Sequence, residues 1–298
     1  MLHLKTKGHD MPGCLQENAV TLPLKEYLRE PPQPGIRLFW LGQAGFVLEA
    51  SEKRIVIDPY LSDSLAEKYK ATARPHTRMM PPPVSPDGIL FVDLVACTHA
   101  HTDHMDPGTL PALLTQNPNA MLLVPRAMKE QALLRSGVNA ERIALTEAGE
   151  TYSIGPITIV ATRAAHETLE QDAEGNHKFL GYVFNCGALR IWHSGDCIPY
   201  EGLEAEVAAI KPDIALLPVN GRRPELSDNG VPGNFTLAEA IALTKHIGAT
   251  DLVAHHYGLF DFNTEAPETI DAAAQSTVDL CIHRARREIA LVSRALTY

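Results

Sequence analysis

The chain has 298 residues, of which 45% are hydrophobic, and a formal net charge of −10. This length fits one large domain or two small ones, and the acidic balance argues against nucleic-acid binding, which requires clustered Lys and Arg. No apolar run reaches the roughly 18 residues of a membrane span, and the N-terminus lacks the apolar stretch of a signal peptide. Five cysteines show no pairing pattern, so we expect a cytoplasmic protein without disulfides. We also expect no membrane contact.

The first third of the chain predicts an arm, a small antiparallel meander and a long connection. Residues 1–20 show no periodicity and are predicted to form a mobile arm or a partner contact, which leaves 21–298 as the main domain. A short helix is predicted over 22–29 and strands over 36–41, 45–50 and 53–58. The connection 61–88 exceeds the usual loop length, and loops this long are usually either functional or disordered. Its candidates for binding an anionic group of a substrate are Arg74, His76 and Arg78. The alternative is that these residues are ordinary surface charges.

Four side chains able to bind a metal stand within six residues of the segment 98–106, THAHTDHMD. A buried strand over 91–97 precedes them, and a helix over 107–116, with Asp106 as N-cap, is predicted to follow. Imidazole and carboxylate bind Zn²⁺ and Mn²⁺, and a tight turn can aim successive side chains at one point. The alternative is a His-rich surface loop; the metal candidates are His99, His101, Asp103 and His104.

The middle of the chain adds two further candidates, each directly after a strand. Strand 120–124 and helix 126–136 are followed by strand 157–161, and His166 lies shortly after it. Strands 179–185 and 188–192 predict a hairpin that leads into HSGD, residues 193–196. No G-x-S-x-G surrounds this motif, so it does not indicate a serine nucleophile, and Asp196 is the candidate ligand.

The last third contains a basic loop and a histidine pair. Strand 213–219 leads to Arg222 and Arg223, candidates for gripping phosphate or carboxylate in a bidentate fork. Thr236 and the residue three positions later predict a capped helix, and strand 251–254 ends at His255 and His256. Because side chains alternate between the two faces of a strand, only one of these two histidines can face a given site. The basic run 283–287 is predicted to be the solvent-exposed face of a C-terminal helix.

The motif HxHxDH after an apolar strand, together with HSGD and HYGLF (256–260), resembles the metallo-β-lactamase superfamily. Residues from about 38 to about 267 are similar to the branch that contains L-ascorbate-6-phosphate lactonase, although that lactonase has Asp where this chain has His166. The resemblance implies an α/β fold, an αββα sandwich of two packed mixed β-sheets with helices on the outer faces. By resemblance, His256 rather than His255 is the last ligand, and the connection 61–88 borders the mouth of the active site.

The resemblance also divides the ligands of two divalent ions, Zn²⁺ or Mn²⁺. One ion would be held by His99, His101 and His166, and the other by Asp103, His104 and His256. Asp196 would bridge them, and Asp58 would hydrogen-bond a ligand histidine.

The implied activity is hydrolysis of a small anionic substrate, a lactone in the first place, by a metal-activated water. Asp103 would relay a proton to the leaving group. A phosphodiesterase of the same superfamily and a non-catalytic metal-binding scaffold are the alternatives. The sequence leaves homo-oligomerisation open.

Overall fold

The structure is a computed structural model that describes residues 13–294. Its strands, in chain order, are β1 Leu15–Ala19, β2 Arg37–Gly42, β3 Gly45–Ala50, β4 Lys53–Ile57, β5 Leu94–Ala96, β6 Met121–Pro125, β7 Ile143–Thr146, β8 Thr151–Ile154, β9 Ile157–Arg163, β10 Leu180–Asn185, β11 Arg190–His193, β12 Ile214–Pro218, β13 Asp251–His255, β14 Cys281–Arg284 and β15 Ile289–Ser293. Its α-helices are α1 Leu24–Tyr27, α2 Ser64–Tyr69, α3 Leu110–Gln116, α4 Lys129–Ser136, α5 Leu203–Ile210, α6 Pro224–Ser227, α7 Leu237–His246 and α8 Pro267–Ser276.

The strands form two mixed sheets. The first has eight strands in the order β1-β15-β2-β3-β4-β5-β6-β7, and the second has seven in the order β14-β13-β12-β11-β10-β9-β8. The predicted meander β2-β3-β4 is antiparallel, whereas β4 to β7 run parallel. In the second sheet, β11 to β14 are parallel. Parallel neighbours bring the carboxyl ends of several strands to one edge of each sheet.

Alternation along the strands separates an inner core from an outer one. Phe46 and Ile55 of the first sheet share a buried cluster with Trp192 of the second sheet. Val56, which points the other way, packs in a second cluster with Leu113 of α3. Side chains of a strand alternate between its faces, so one face meets the opposite sheet and the other meets helices. The predicted αββα sandwich is therefore confirmed.

Residues 15–19 correct the prediction of an N-terminal arm over 1–20. They form β1, which pairs antiparallel with β15 from Leu15 opposite Ser293 to Ala19 opposite Ile289. Only the first of these five side chains is buried, so the strand carries no alternating pattern that sequence reasoning could detect. Its partner is supplied by the far end of the chain. Residues 1–12 of the predicted arm lie outside the described residues.

Two other local predictions are wrong. The basic run 283–287 begins inside β14, which pairs in parallel with β13, so it does not lie on a helix. Helix α3 begins at Leu110 rather than Pro107, because the carboxylate of Asp106 accepts hydrogen bonds from Gly108 N and Thr109 Oγ1 and thereby stabilises a preceding turn. The predicted capping box of Thr236 and Glu239 is confirmed. Within 13–294, no helix is both long and apolar enough to cross a bilayer.

Candidate metal centre

Seven imidazoles and carboxylates from distant parts of the chain meet at the strand ends. Ligand atoms within 4.8 Å of one another form three groups, and these are His99–His101–His166, His99–His104–Asp196 and Asp103–His104–His256. His99, His101, Asp103 and His104 follow β5. His166 follows β9, Asp196 follows β11 and His256 follows β13. The structure thus brings together every residue that the sequence named as a metal ligand, and it brings His256 rather than His255.

Asp196 lies between the other two groups, His99–His101–His166 and Asp103–His104–His256, which we call the outer groups. Its Oδ2 is 3.3 Å from His104 Nε2 and 3.6 Å from His166 Nε2, and its Oδ1 is 3.3 Å from His256 Nε2. Asp103 Oδ2 is 3.8 Å from both His104 Nε2 and His256 Nε2. The carboxylate of Asp196 therefore contacts histidines of both outer groups, which is the placement a bridging ligand requires.

The donor atoms at the centre of the cluster are unpartnered. Four of the buried atoms that lack a hydrogen-bond partner among the described residues face one another here, namely His99 Nε2, His104 Nε2, His256 Nε2 and Asp196 Oδ1. Leaving a buried polar group unsatisfied costs about 1–3 kcal/mol, so a converging set of them indicates an absent partner. Imidazole nitrogens and carboxylate oxygens fit a divalent cation such as Zn²⁺ or Mn²⁺.

The carboxylate of Asp58 fixes the orientation of two of these histidines. It accepts hydrogen bonds from His104 Nδ1 at 2.7 Å, from Thr98 Oγ1 at 2.6 Å and from the Thr98 backbone N–H at 2.7 Å. Since the Thr98 hydroxyl proton is committed to Asp58, Thr98 Oγ1 accepts the Nδ1 proton of His99 at 3.1 Å. Both imidazoles consequently turn Nε2 toward the cluster. The predicted contact between Asp58 and a ligand histidine is present.

Burial controls the charge of three of the histidines, whereas neighbouring charges control that of His104 and Asp196. It lowers the pKa of His99 and of His101, and it lowers the pKa of His166 to about 4, so these imidazoles are neutral at neutral pH and keep a free lone pair. For His104, burial opposes the charge but the carboxylates around it raise its pKa well above the usual value. Burial also opposes the charge of Asp196, yet His104 and His256 hold its pKa well below the usual range.

The turn between β2 and β3 of the first sheet supports the cluster. The side chain of Gln43 donates from Nε2 to Asp103 Oδ2 at 2.9 Å, and its backbone carbonyl accepts the His256 N–H at 2.9 Å. Both Gln43 and His256 adopt positive φ, at 51° and 60°. Such conformations are costly for residues other than glycine and concentrate at functional sites. The turn between β2 and β3 therefore positions two members of the cluster, a role that its sequence did not reveal.

The HSGD turn is held by its own histidine. His193 Nδ1 accepts from Gly195 N at 3.0 Å, so Nε2 carries the proton and donates to Ala44 O at 2.9 Å. Gly195 has φ 63°, and a Cβ there would lie 2.6 Å from Leu180 O, so only glycine fits. His255 stacks on His193 with ring centroids 5.0 Å apart and lies away from the cluster.

A cavity of about 470 Å³ opens above the cluster. His101, Asp103, His166, Asp196 and His256 form its floor. Residues of the long connection, including Arg74 and His76, line its wall, which agrees with the predicted position of this loop at a functional site. A volume of this size suits a small molecule.

Five residues were predicted to bind an anionic group of the substrate, and of these only Arg74 and His76 line the cavity. Arg222 forms a bidentate pair with Glu239, and Arg223 donates to the Phe262 carbonyl. Arg78 donates to Ser62 O at 3.0 Å and its guanidinium lies over the Tyr60 ring. None of these three arginines lines the cavity.

Two other cations of the cavity wall escaped the sequence analysis. Lys68 of α2 and Arg135 of α4 both line the cavity, as does Arg74. Within the described chain, none of these three residues forms an ion pair with a carboxylate. Arg135 also donates from Nη1 to Ala100 O at 2.5 Å and to Met105 O at 3.2 Å, which braces the turn that carries the first four ligands. Their only sequence signal was positive charge on predicted helices or loops.

A two-sheet sandwich with a His and Asp cluster at its strand ends defines a class of metal-binding α/β proteins. Comparison with known proteins identifies the family. A family model described as the beta-lactamase superfamily domain matches residues 53–257. The chain belongs to the metallo-β-lactamase superfamily, as its motifs predicted.

Relatives and solved structures agree with this assignment. A metal-dependent hydrolase of Methanosarcina mazei is 28% identical over 251 residues, which cover 82% of this chain and 93% of the relative. A metal-dependent hydrolase of Methanoculleus marisnigri is 29% identical over 230 residues, covering 76% of this chain and 82% of the relative. These relatives support a metal-dependent hydrolase.

The same fold carries more than one chemistry. An isothiocyanate hydrolase from Delia radicum gut bacteria has a TM-score of 0.68 at 22% identity, over 87% of this chain and 100% of the other. CmlA, a diiron β-hydroxylase from Streptomyces venezuelae, has a TM-score of 0.59 at 14% identity, over 89% of this chain and 55% of the other. At these identities the likeness concerns the fold alone, so the reaction has to be argued from the site.

Proposed function

We propose that this chain is a metal-dependent hydrolase that uses two divalent ions on a small anionic substrate, with a lactone as the favoured class. The observation that carries the proposal is the position of Asp196, whose carboxylate contacts both outer groups of the cluster, at 3.3 Å from His104 and 3.6 Å from His166. Two nearby cations repel each other unless an anion lies between them, and Asp196 is placed to be that anion.

The donor set supports a division of ligands between the ions. His99, His101 and His166 would hold one ion, Asp103, His104 and His256 the other, and Asp196 would bridge. A divalent ion bound there supplies a Lewis acid and a water of lowered pKa. All protein donors are nitrogen or oxygen, which suits Zn²⁺ or Mn²⁺.

The protein residues around the floor supply positioning and proton handling. Asp103 lines the cavity, and the amide of Gln43 holds one of its oxygens at 2.9 Å. Its other oxygen is free to face a reacting group, so Asp103 is the residue we assign to hold the proton that passes to the leaving group.

The cations of the cavity wall favour an anionic substrate. Lys68, Arg74 and Arg135 line the cavity, while its only acidic lining residues within 13–294 are Asp103 and Asp196 of the cluster. Positive charge gathered here in a chain of net charge −10 creates a local field that attracts and orients an anion. Phosphodiester hydrolysis is the second candidate, since two ions and guanidinium groups also suit phosphoryl oxygens. The open cavity above the cluster argues against a non-catalytic scaffold.

The test is the substitution His101→Ala with His246→Ala as a matched control. His101 offers one of three nitrogens of its group, so its loss should lower bound metal and reduce turnover by at least about a hundredfold. His246 is exposed on α7 and pairs with Glu204, so its variant should behave as the wild type.

Metal content measured by mass spectrometry and turnover on a substrate panel are the readouts. The panel contains γ-butyrolactone, its 5-carboxylate derivative, bis(4-nitrophenyl) phosphate and allyl isothiocyanate. Preference for the carboxylated lactone supports the proposal, and preference for the phosphodiester supports the second candidate. Stoichiometric metal with no turnover of any panel member contradicts both.

A further inference from the structure

The imidazole of His76 is buried in a box of aromatic rings in the cavity wall. Tyr69 stacks on it with ring centroids 4.4 Å apart, and Phe260 and Phe262 meet it edgewise at 5.0 Å and 4.8 Å. The side chain is only 9% exposed although the segment around it is largely exposed. His76 also adopts φ 50°, an unfavourable conformation for a residue with a Cβ. The surrounding rings therefore hold this imidazole in a fixed place.

Hydrogen bonding assigns separate roles to the two ring nitrogens. Nδ1 lies 2.7 Å from the Arg74 carbonyl oxygen, and because a carbonyl only accepts, Nδ1 carries a proton and donates it. Nε2 has no hydrogen-bond partner in the described chain, and it is not fully buried. It is therefore accessible to solvent, and His76 is one of the residues that line the cavity.

The surroundings keep this imidazole neutral. Burial is the largest influence and lowers the pKa of His76 below its usual value. Among the charged groups that act on it, Asp103 favours the protonated form, whereas Lys68 and Arg74 oppose it. A neutral imidazole with a proton on Nδ1 presents a bare lone pair at Nε2. His76 is thus a neutral hydrogen-bond acceptor in a wall that also carries the cations Lys68, Arg74 and Arg135.

We propose that His76 Nε2 accepts a hydrogen bond from a hydroxyl or amide N–H of the bound substrate and so determines specificity for substrates that carry such a donor. This rests on the proposed function only in taking the cavity as the substrate site. The anion contacts the cations of the wall, and the donor contacts His76. The sequence analysis named His76 as a candidate for binding the anion itself; in this proposal it binds the donor instead, because a neutral acceptor repels an anionic oxygen.

The test uses matched probes that differ by one hydroxyl, namely butyrate, 3-hydroxybutyrate and 4-hydroxybutyrate. Their affinity for the Zn²⁺-loaded protein is measured by calorimetry. A buried hydrogen bond between neutral groups should make the wild type prefer at least one hydroxylated acid by roughly three- to tenfold. His76→Phe keeps an aromatic ring in the box and should remove the preference, while His76→Gln, whose carbonyl oxygen reaches a similar position, should restore part of it.

The control and a second measurement keep the test decisive. His246→Phe introduces the same change at an exposed site and should leave the preference intact. Long-range ¹H–¹⁵N spectra of the wild type should show a neutral imidazole protonated at Nδ1. Equal affinity for all three acids in the wild type, persistence of the preference in His76→Phe, or a proton on Nε2 would overturn the inference. Failure of the proposed function is separate, since it shows as missing metal or missing turnover.

Discussion

At the residue scale, the most consequential side chain outside the ligand set is Asp58. Fully buried, it serves as the common acceptor for His104 and, through Thr98, for His99. It therefore fixes which nitrogen of each ligand faces the centre. Its own φ is 43°, so the backbone is held in an unfavourable conformation to place this carboxylate. Metal-ligating histidines depend on such partners for orientation and basicity.

We expect Asp58→Asn to weaken metal binding by about ten- to a hundredfold, because the introduced amide can turn a donor toward the Nδ1 proton of His104. Competition with a chromophoric chelator measures the affinity. Asp228→Asn, an exposed change beside α6, is the control and should leave the affinity unchanged. An Asp58→Asn protein that binds metal as tightly as the wild type would falsify the orienting role.

At the element scale, the N-terminal strand β1 is attached by a buried charge network. Asp251, at the start of β13, accepts from the backbone N–H of Cys14 at 2.7 Å and from that of Leu15 at 3.2 Å. His283 of β14 lies 2.9 Å from Asp251 and 3.2 Å from Glu17 of β1. Since carboxylates only accept, both imidazole nitrogens carry protons and His283 is a cation. The network thus ties β1 to strands of the opposite sheet.

This network predicts a pH-dependent attachment of β1. Burial opposes the charge of His283, but hydrogen bonds to Asp251 and Glu17 raise its pKa overall. The hydrogen bond to His283 lowers the pKa of Glu17, and it lowers that of Asp251 against the effect of burial. The histidine's contribution to stability is complete below about pH 6.5 and is lost as the pH rises through its raised folded-state pKa. The contribution of the carboxylates is present above about pH 4 and is lost as the pH falls through their lowered values.

Hydrogen-exchange protection of residues 15–19 should therefore be greatest between these limits and should fall in alkaline solution. His283→Gln removes the cation, so it should lower protection at pH 6 and make it nearly independent of pH up to 9. His246→Gln, on the surface of α7, is the control. Equal pH dependence in the wild type and in His283→Gln would show that the network does not hold β1.

At the scale of the whole molecule, the metal cluster joins the two sheets. Its first four residues follow a strand of the first sheet, and His166, Asp196 and His256 follow strands of the second. A metal that binds only the folded chain stabilises it by about 2.7 kcal/mol at one hundred times its Kd. For a chain of this size we expect the melting temperature to rise by roughly 5 °C with Zn²⁺ or Mn²⁺.

Thermal unfolding of chelator-treated protein, with and without added metal, measures this effect. His101→Ala should lose most of the shift because one group of ligands is incomplete, and His246→Ala should retain it. An identical melting temperature with and without metal in the wild type would contradict coupling between the cluster and the fold.

The sequence by itself determined the ligand types, the strands that precede them and the family. HxHxDH and HSGD are local motifs, and a buried strand followed by a turn has a recognisable pattern over a few residues. The capping box of Thr236 is equally local. These features depend on neighbours in the chain, and so they could be predicted without coordinates.

Only the tertiary structure decided which side chains face the cavity and which distant strand completes each sheet. Arg222 carries the charge of an anion-binding residue but pairs with Glu239, whereas Arg135 on α4 reaches the cavity. Strand β1 pairs with β15, more than 270 positions along the chain at Leu15 and Ser293. Charge and short-range pattern do not specify such partners, because long-range packing brings them together and determines where each long side chain can extend.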